Sequence, residues 1–199
     1  MKDIIRNLYE WIKWKRIAKV IPTFPKRGWI KRPFQVRGGE NIYIGEGTTI
    51  NKYAWIDALP YTGMDSVKLV IGENVRLSFN MHIIATHYIQ IGNNCNSGNN
   101  VYISDNLDSY EDITTPIKNQ PIKQLNDVII GDDTWIGENS CIIGASIGKH
   151  CVIGANSVVN HDVPDYCVVV GAPARIIKRY DFERMQWRKT DSKGNFKDD

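Results

Sequence analysis

Side chains able to do chemistry are sparse in this chain. Four cysteines, Cys95, Cys141, Cys151 and Cys167, could in principle hold zinc or act as nucleophiles. None pairs as C-x-x-C beside a histidine, so the pattern reads as buried free thiols and not as a metal site. Two histidines, His82 and His87, precede a polar, proline-bearing stretch that begins just after Asp105 and contains Asp108. An imidazole exchanges protons near neutral pH, whereas a carboxylate near about 3.9 is a weak base unless burial raises it. The third group is cationic: Arg175, Lys178 and Arg179 follow the last apolar stretch. Such a run can meet phosphates or simply be a solvated surface.

What must position these residues is a six-residue beat: an aliphatic residue, often Gly, polar residues, and a small or slim residue in the fifth place. It runs through Ile44-Gly45, Ile50 and Ile56, then Ile71-Gly72, Leu77 and Ile83, then Ile91-Gly92, Ser97-Gly98 and Ile103. It returns at Ile130-Gly131, Ile136-Gly137, Ile147-Gly148, Ile153-Gly154 and Val159. Neither a helix nor a plain strand buries every sixth residue along one line. A chain that turns a corner every six residues does, with three short strands forming each triangular turn and stacked turns stabilising one another. The beat therefore predicts an all-β solenoid. Cys95 and Cys151 occupy the small inward position. The beat breaks over Ala58–Lys68, between Ile83 and Ile91, between Ile142 and Ile147, and most of all over the loop at about 107–127. Loops leaving a rigid solenoid are where function concentrates.

The net charge of +3 is small and mixed, which implies no nucleic-acid surface. There is no twenty-residue apolar run and no cleavable signal, so the expectation is a soluble cytoplasmic protein. Residues 2–20 read as a basic amphipathic helix carrying Trp11 and Trp14. Its apolar face could cap the first rung or lie on an anionic membrane surface. The expected organisation is 1–39 as helix and extended connector, 40–175 as solenoid, and 176–199 as a charged C-terminal segment with a disordered tail.

The run from Ile130 to Arg179, with its Trp-Ile-Gly rung, its IGANSVV rung and its VVVGAPA close in that order, resembles the hexapeptide-repeat acyltransferases. Within them it is most similar to the maltose/galactoside and polysaccharide sugar O-acetyltransferases; the NVYISD block from Asn100 and the later PIKNQPI stretch fit the polysaccharide-modifying members. The resemblance covers roughly residues 40–180. It implies a left-handed parallel β-helix, a homotrimer with active sites between neighbouring prisms, and acetyl-coenzyme A as donor without a metal. It implies transfer to a hydroxyl of a surface-polysaccharide sugar in a ternary complex, with N-acetylation of an amino sugar as the alternative. A non-catalytic trimeric scaffold or sugar-binding module remains a further alternative.

By residue match, the resemblance puts Trp135 beside the pantetheine arm and Glu138, Ala145, Ser146 and Ala155 where backbone groups meet that arm. It puts Asn160 and His161 near the nucleotide end and Arg175, Lys178 and Arg179 at the phosphates. Ser78 and Asn80 match acceptor-side positions; Asp105, the last residue of its regular rung, could orient a base or bind an acceptor hydroxyl, or simply end the strand. The family's histidines fall at Asn106 and Asp108, and neither is histidine here. Four readings follow: Asp108 is itself the base; another histidine (His82 or His87) reaches the same groove; the loop is re-registered or the chain carries an altered catalytic residue; or the chemistry has been lost.

Overall fold

The computed structural model describes residues 19–191 and 194–197. The expected N-terminal helix lies, apart from its last two residues, outside them. The described chain winds into a three-faced prism of parallel strands. The first face stacks Ile42–Ile44, Lys68–Ile71, Tyr88–Ile91 and Val128–Ile130, continued by single bridges at Ile147 and Val163. The second stacks Trp29–Ile30, Thr49–Ile50, Arg76–Leu77, Asn96–Ser97, Trp135–Ile136, Val152–Ile153 and Cys167–Val170. The third stacks Gln35–Arg37, Trp55–Ala58, His82–Ala85, Tyr102–Ser104, Cys141–Ile143 and Val158–Val159.

The beat sets the core directly. Its aliphatic residues Ile50, Ile56, Leu77, Ile83, Ile103, Ile130, Ile136, Ile153 and Val159 are all 0% exposed. The fifth positions are small for a second reason besides crowding. Thr48 Oγ1 donates to the Gly72 carbonyl at 2.7 Å, Thr134 Oγ1 to Gly148 at 3.1 Å and Ser140 Oγ to Gly154 at 3.0 Å. Each hydroxyl thus ties one rung to the glycine corner of the next. The glycines that open these corners are needed for close approach: a Cβ on Gly137 would lie 2.5 Å from the Ala155 backbone nitrogen. At the edge between the second and third faces the corner residue is asparagine in the left-handed region, at Asn80, Asn100, Asn139 and Asn156. Their side-chain amides form a ladder at 2.9, 2.9 and 3.2 Å.

The stretch expected as an extended connector, 21–39, is extended and also builds a first rung, pairing Trp29–Ile30 with Thr49–Ile50 and Gln35–Arg37 with Trp55–Asp57. At the other end the second face turns back on itself through antiparallel strands Arg175–Asp181 and Gln186–Lys189. The long loop is an ordered arm: Asn106–Asp108 pairs antiparallel with Ile122–Gln124. Cys95, Cys151 and Cys167 are buried free thiols, and Cys141 is half-buried on the third face. Burial pushes the Cys95 and Cys151 thiols up to about 11, which keeps them protonated and unreactive.

Candidate active site

Every break in the beat falls on the edge between the third and first faces. The 58–68 excursion leaves there, the Thr86-His87 insertion widens the corner there, and the arm departs after Ser104 and rejoins at Val128. This loop edge is where a cleft can be built without unravelling the stacked strands.

Asp105 organises it. Its carboxylate, 0% exposed, accepts backbone N–H bonds from Thr86, His87 and Tyr88 at 2.8–3.1 Å. Two more donors, Thr86 Oγ1 at 2.8 Å and Asn106 Nδ2 at 3.0 Å, complete its shell. A carboxylate so saturated is committed to holding the widened corner. Asn106 is likewise buried; its amide also donates to the Ile84 carbonyl at 3.2 Å, and its backbone carbonyl accepts from Ser104 Oγ. Asn106, expected at the reacting centre, is thus buried with its amide and backbone carbonyl engaged beside Asp105 in the corner that follows Ser104. Asp108 is exposed on the arm, opposite Ile122.

The corner held by Asp105 presents His87. Its Nδ1 lies 2.6 Å from Asp127 Oδ1, and both side chains are partly exposed. A carboxylate on Nδ1 selects the tautomer and ring orientation that leave Nε2 to exchange a proton. Asp127 carried no signal in the sequence: it stands just before the beat resumes at Val128, and nothing local joins it to a histidine so far upstream. Its backbone carbonyl accepts from Ser146 Oγ at 3.3 Å, and the Ser146 N–H donates to Asp162 Oδ1 at 2.8 Å. The loop edge therefore lines up His87, Asp127 and Ser146, with the exposed pair Asn160 and His161 (Nδ1 3.1 Å from Asn160 Oδ1) one corner further on.

His82 is placed differently. It lies on the third face between Trp55, with ring centroids 4.5 Å apart and planes 23° from parallel, and Tyr102 at 5.1 Å. Its Nε2 is buried with no hydrogen-bond partner among the described residues, and burial lowers its pKa against the opposing field of Asp57. Asp57 itself, 1% exposed, is gripped by Arg37, Trp55 Nε1 at 2.8 Å and Gln35 Nε2 at 3.2 Å. Burial pushes that carboxyl up, and these hydrogen bonds outweigh it and hold it low.

The remaining candidates separate into two further groups. Ser78, Asn80, Glu138 and Ala155 lie along the second–third edge. There Asn80 belongs to the amide ladder and Glu138 accepts from Asn99 Nδ2 at 3.2 Å. Trp135, 53% exposed, lies on the second face and shares a cavity of about 360 Å³ with His150, Val152, Val168, Lys178 and Trp187. Arg175 is exposed three residues before Lys178 on the same strand, whereas Arg179 lines a separate cavity of about 840 Å³ under the C-terminal hairpin and donates to the Gly194 carbonyl at 3.3 Å. Ala145 is fully buried behind Ser146. Because the second face is the one opposite the loop edge, Trp135 and His87 of one chain do not share a groove. Among the described residues no cluster of His, Cys, Asp or Glu suits a metal ion.

The chain is similar to proteins of known sequence and structure. A family model described as the hexapeptide repeat of succinyl-transferase matches residues 127–161. An Escherichia coli (strain K12) protein named as a lipopolysaccharide biosynthesis O-acetyl transferase, WbbJ, is 30% identical over 167 residues, spanning 80% of this chain and 83% of that one. A maltose O-acetyltransferase from Clostridium difficile 630 superposes with a TM-score of 0.52 at 28% identity, over 83% of this chain and 73% of that one. The N-acyltransferase AntD from Bacillus cereus, solved with dTDP-4-amino-4,6-dideoxyglucose and coenzyme A, superposes with a TM-score of 0.70 over 85% of this chain and 90% of that one. At 19% identity its likeness bears on the fold.

Proposed function

The chain belongs to the hexapeptide-repeat acetyltransferases, and on that premise we propose that it acetylates a sugar hydroxyl of a surface polysaccharide or its lipid-linked precursor, using acetyl-coenzyme A. The observation that carries the chemistry is the His87–Asp127 pair at 2.6 Å on the loop edge. In this reading His87 Nε2 takes the proton of the acceptor hydroxyl as its oxygen attacks the thioester carbonyl. The C–S bond then breaks, the acetyl group stays on the sugar oxygen, and the imidazolium returns its proton to the departing thiolate. Asp127 fixes the ring and stabilises its charged form. The O-acetyl choice is supported by the names of WbbJ and of the Clostridium difficile maltose O-acetyltransferase, and the polysaccharide choice by the name of WbbJ.

The donor lies along the second face of a neighbouring prism. Trp135 offers a flat apolar wall to its pantetheine arm, Lys178 in the same cavity offers charge to its phosphates, and the exposed Arg175 on the same strand as Lys178 adds a second cation. Separation of Trp135 from His87 within one chain is what supports a homotrimer of left-handed prisms, in which a second copy completes each site. We place the protein in the cytoplasm, with residues 2–20 as a peripheral contact to the inner membrane face; among the described residues no helix is long and apolar enough to cross a membrane.

The test is acetyl transfer from labelled acetyl-coenzyme A to a panel of neutral sugars, glycan precursors and amino sugars, with His87→Ala beside the native protein. Transfer to hydroxyl acceptors that disappears in the variant supports the reading. Transfer confined to amino groups would replace it with N-acetylation, and full activity in His87→Ala would remove the base.

A further inference from the structure

The two excursions on the loop edge, distant in sequence, meet at one amide. Gln124 lies on the returning strand of the arm, three residues before Asp127. Its Oε1 accepts from Thr62 Oγ1 at 2.6 Å, at the middle of the 58–68 excursion. Its Nε2 donates to the Asp105 carbonyl at 2.8 Å and the Leu125 carbonyl at 3.2 Å. Thr86 Oγ1 stands 2.9 Å from Gln124 Oε1 and 2.8 Å from Asp105 Oδ1, so its single proton serves one acceptor at a time or is shared. Both amide protons and the amide oxygen are thus engaged, and every partner belongs to a segment that frames His87. Thr86 precedes it, Asp105 holds its backbone, and the arm delivers Asp127 to its Nδ1. A merely decorative surface glutamine would not join three segments so fully.

We infer that Gln124 is a positioning residue that clamps the 58–68 excursion onto the base of the arm, so that the two form one wall on the acceptor side of His87. This rests on the acetyl-transfer reading above and extends it. Acceptor recognition is shared between two excursions whose relative position one amide sets. The donor groove on the second face is untouched by it. A substitution at the clamp therefore loosens the acceptor and leaves the donor alone.

The test uses the full-length protein and compares Gln124→Ala, Thr62→Val and the double variant. Thr62→Val removes only one hydroxyl donor at nearly constant volume and keeps the experiment decisive if Gln124→Ala folds poorly. The expected result is a KM for the sugar acceptor raised about tenfold in Gln124→Ala and about threefold in Thr62→Val, with the KM for acetyl-coenzyme A unchanged. The double variant should be no worse than Gln124→Ala, because both changes break the same bond. Backbone amides of residues 58–68 should exchange hydrogen faster in Thr62→Val. Unchanged acceptor KM in an active Thr62→Val, or equal loss toward donor and acceptor, overturns the inference while leaving acetyl transfer standing. A native protein that acetylates no acceptor overturns the acetyl-transfer reading, and this inference with it.

Discussion

The Nδ1 of His87 and the Oδ1 of Asp127 stand 2.6 Å apart across forty positions of sequence, joined at the loop edge of the solenoid. His87 sits in a corner widened by two residues, and Asp127 is the last residue before the arm gives way to the regular first face. The two meet because successive turns of a prism stack residues of distant sequence one above another at the same edge. Their pairing orients an imidazole at an edge that also holds Ser146 and both excursions.

Removing the imidazole should matter far more than removing the carboxylate that occupies the expected base position. His87→Ala is expected to lower kcat by about a hundredfold or more, the usual range for a lost general base. Asp127→Asn keeps the shape and removes the charge, and should lie between that variant and the native protein. Asp108→Ala should stay within about twofold. Initial rates of acetyl transfer check the order; a collapse in Asp108→Ala with His87→Ala active would reverse the assignment.

Trp135 and Lys178 share a cavity, and Arg179 does not. Trp135→Ala and Lys178→Ala are therefore expected to raise the KM for acetyl-coenzyme A severalfold without affecting the acceptor. Arg179→Ala should leave the donor KM unchanged and act on the C-terminal hairpin instead. Calorimetry with coenzyme A reads the same contrast without requiring turnover.

His82 predicts a pH dependence of stability. Burial between Trp55 and Tyr102 holds its folded pKa below the ordinary value. Above about 6.5 neither folded nor unfolded chain protonates it appreciably. As pH falls below that, the unfolded chain binds a proton that the folded protein refuses, so stability declines until the lower folded value is reached. Tm measured down this window should fall in the native protein and fall less in His82→Phe, which keeps a ring in the stack and cannot titrate. Equal slopes in the two proteins would count against His82 as the cause.

Two core substitutions separate crowding from hydrogen bonding. Ser140→Ala removes the donor to the Gly154 carbonyl and should cost about 1 kcal/mol in denaturant unfolding. Gly137→Ala should cost more, because its new methyl would meet the backbone of Ala155 and Ile153 at 2.5 and 2.6 Å, where nothing can rotate away. A Gly137→Ala protein as stable as the native one would show that the rungs can spread.

The sequence by itself determined the scaffold and most of its register. Period six is a steric statement: the same residue type must return to the same interior line, so Ile103 or Ile136 could be placed on its rung without coordinates. It also located the breaks, and with Trp135 it marked a ring that no core position required. What it could not contain was the meaning of those breaks. Counting along the beat led to Asn106 and Asp108, yet Asn106 is folded into the corner and Asp108 rides out on the arm. Only the tertiary structure shows that the breaks share one edge, that Asp105 is spent on holding it, and that Asp127 and Gln124 return to it beside His87 and Thr62. The physical reason is that hydrogen bonds between stacked rungs and excursions depend on where segments meet in space. A repeat encodes the spacing of the rungs, and it carries no information about how chain that has left the repeat folds back.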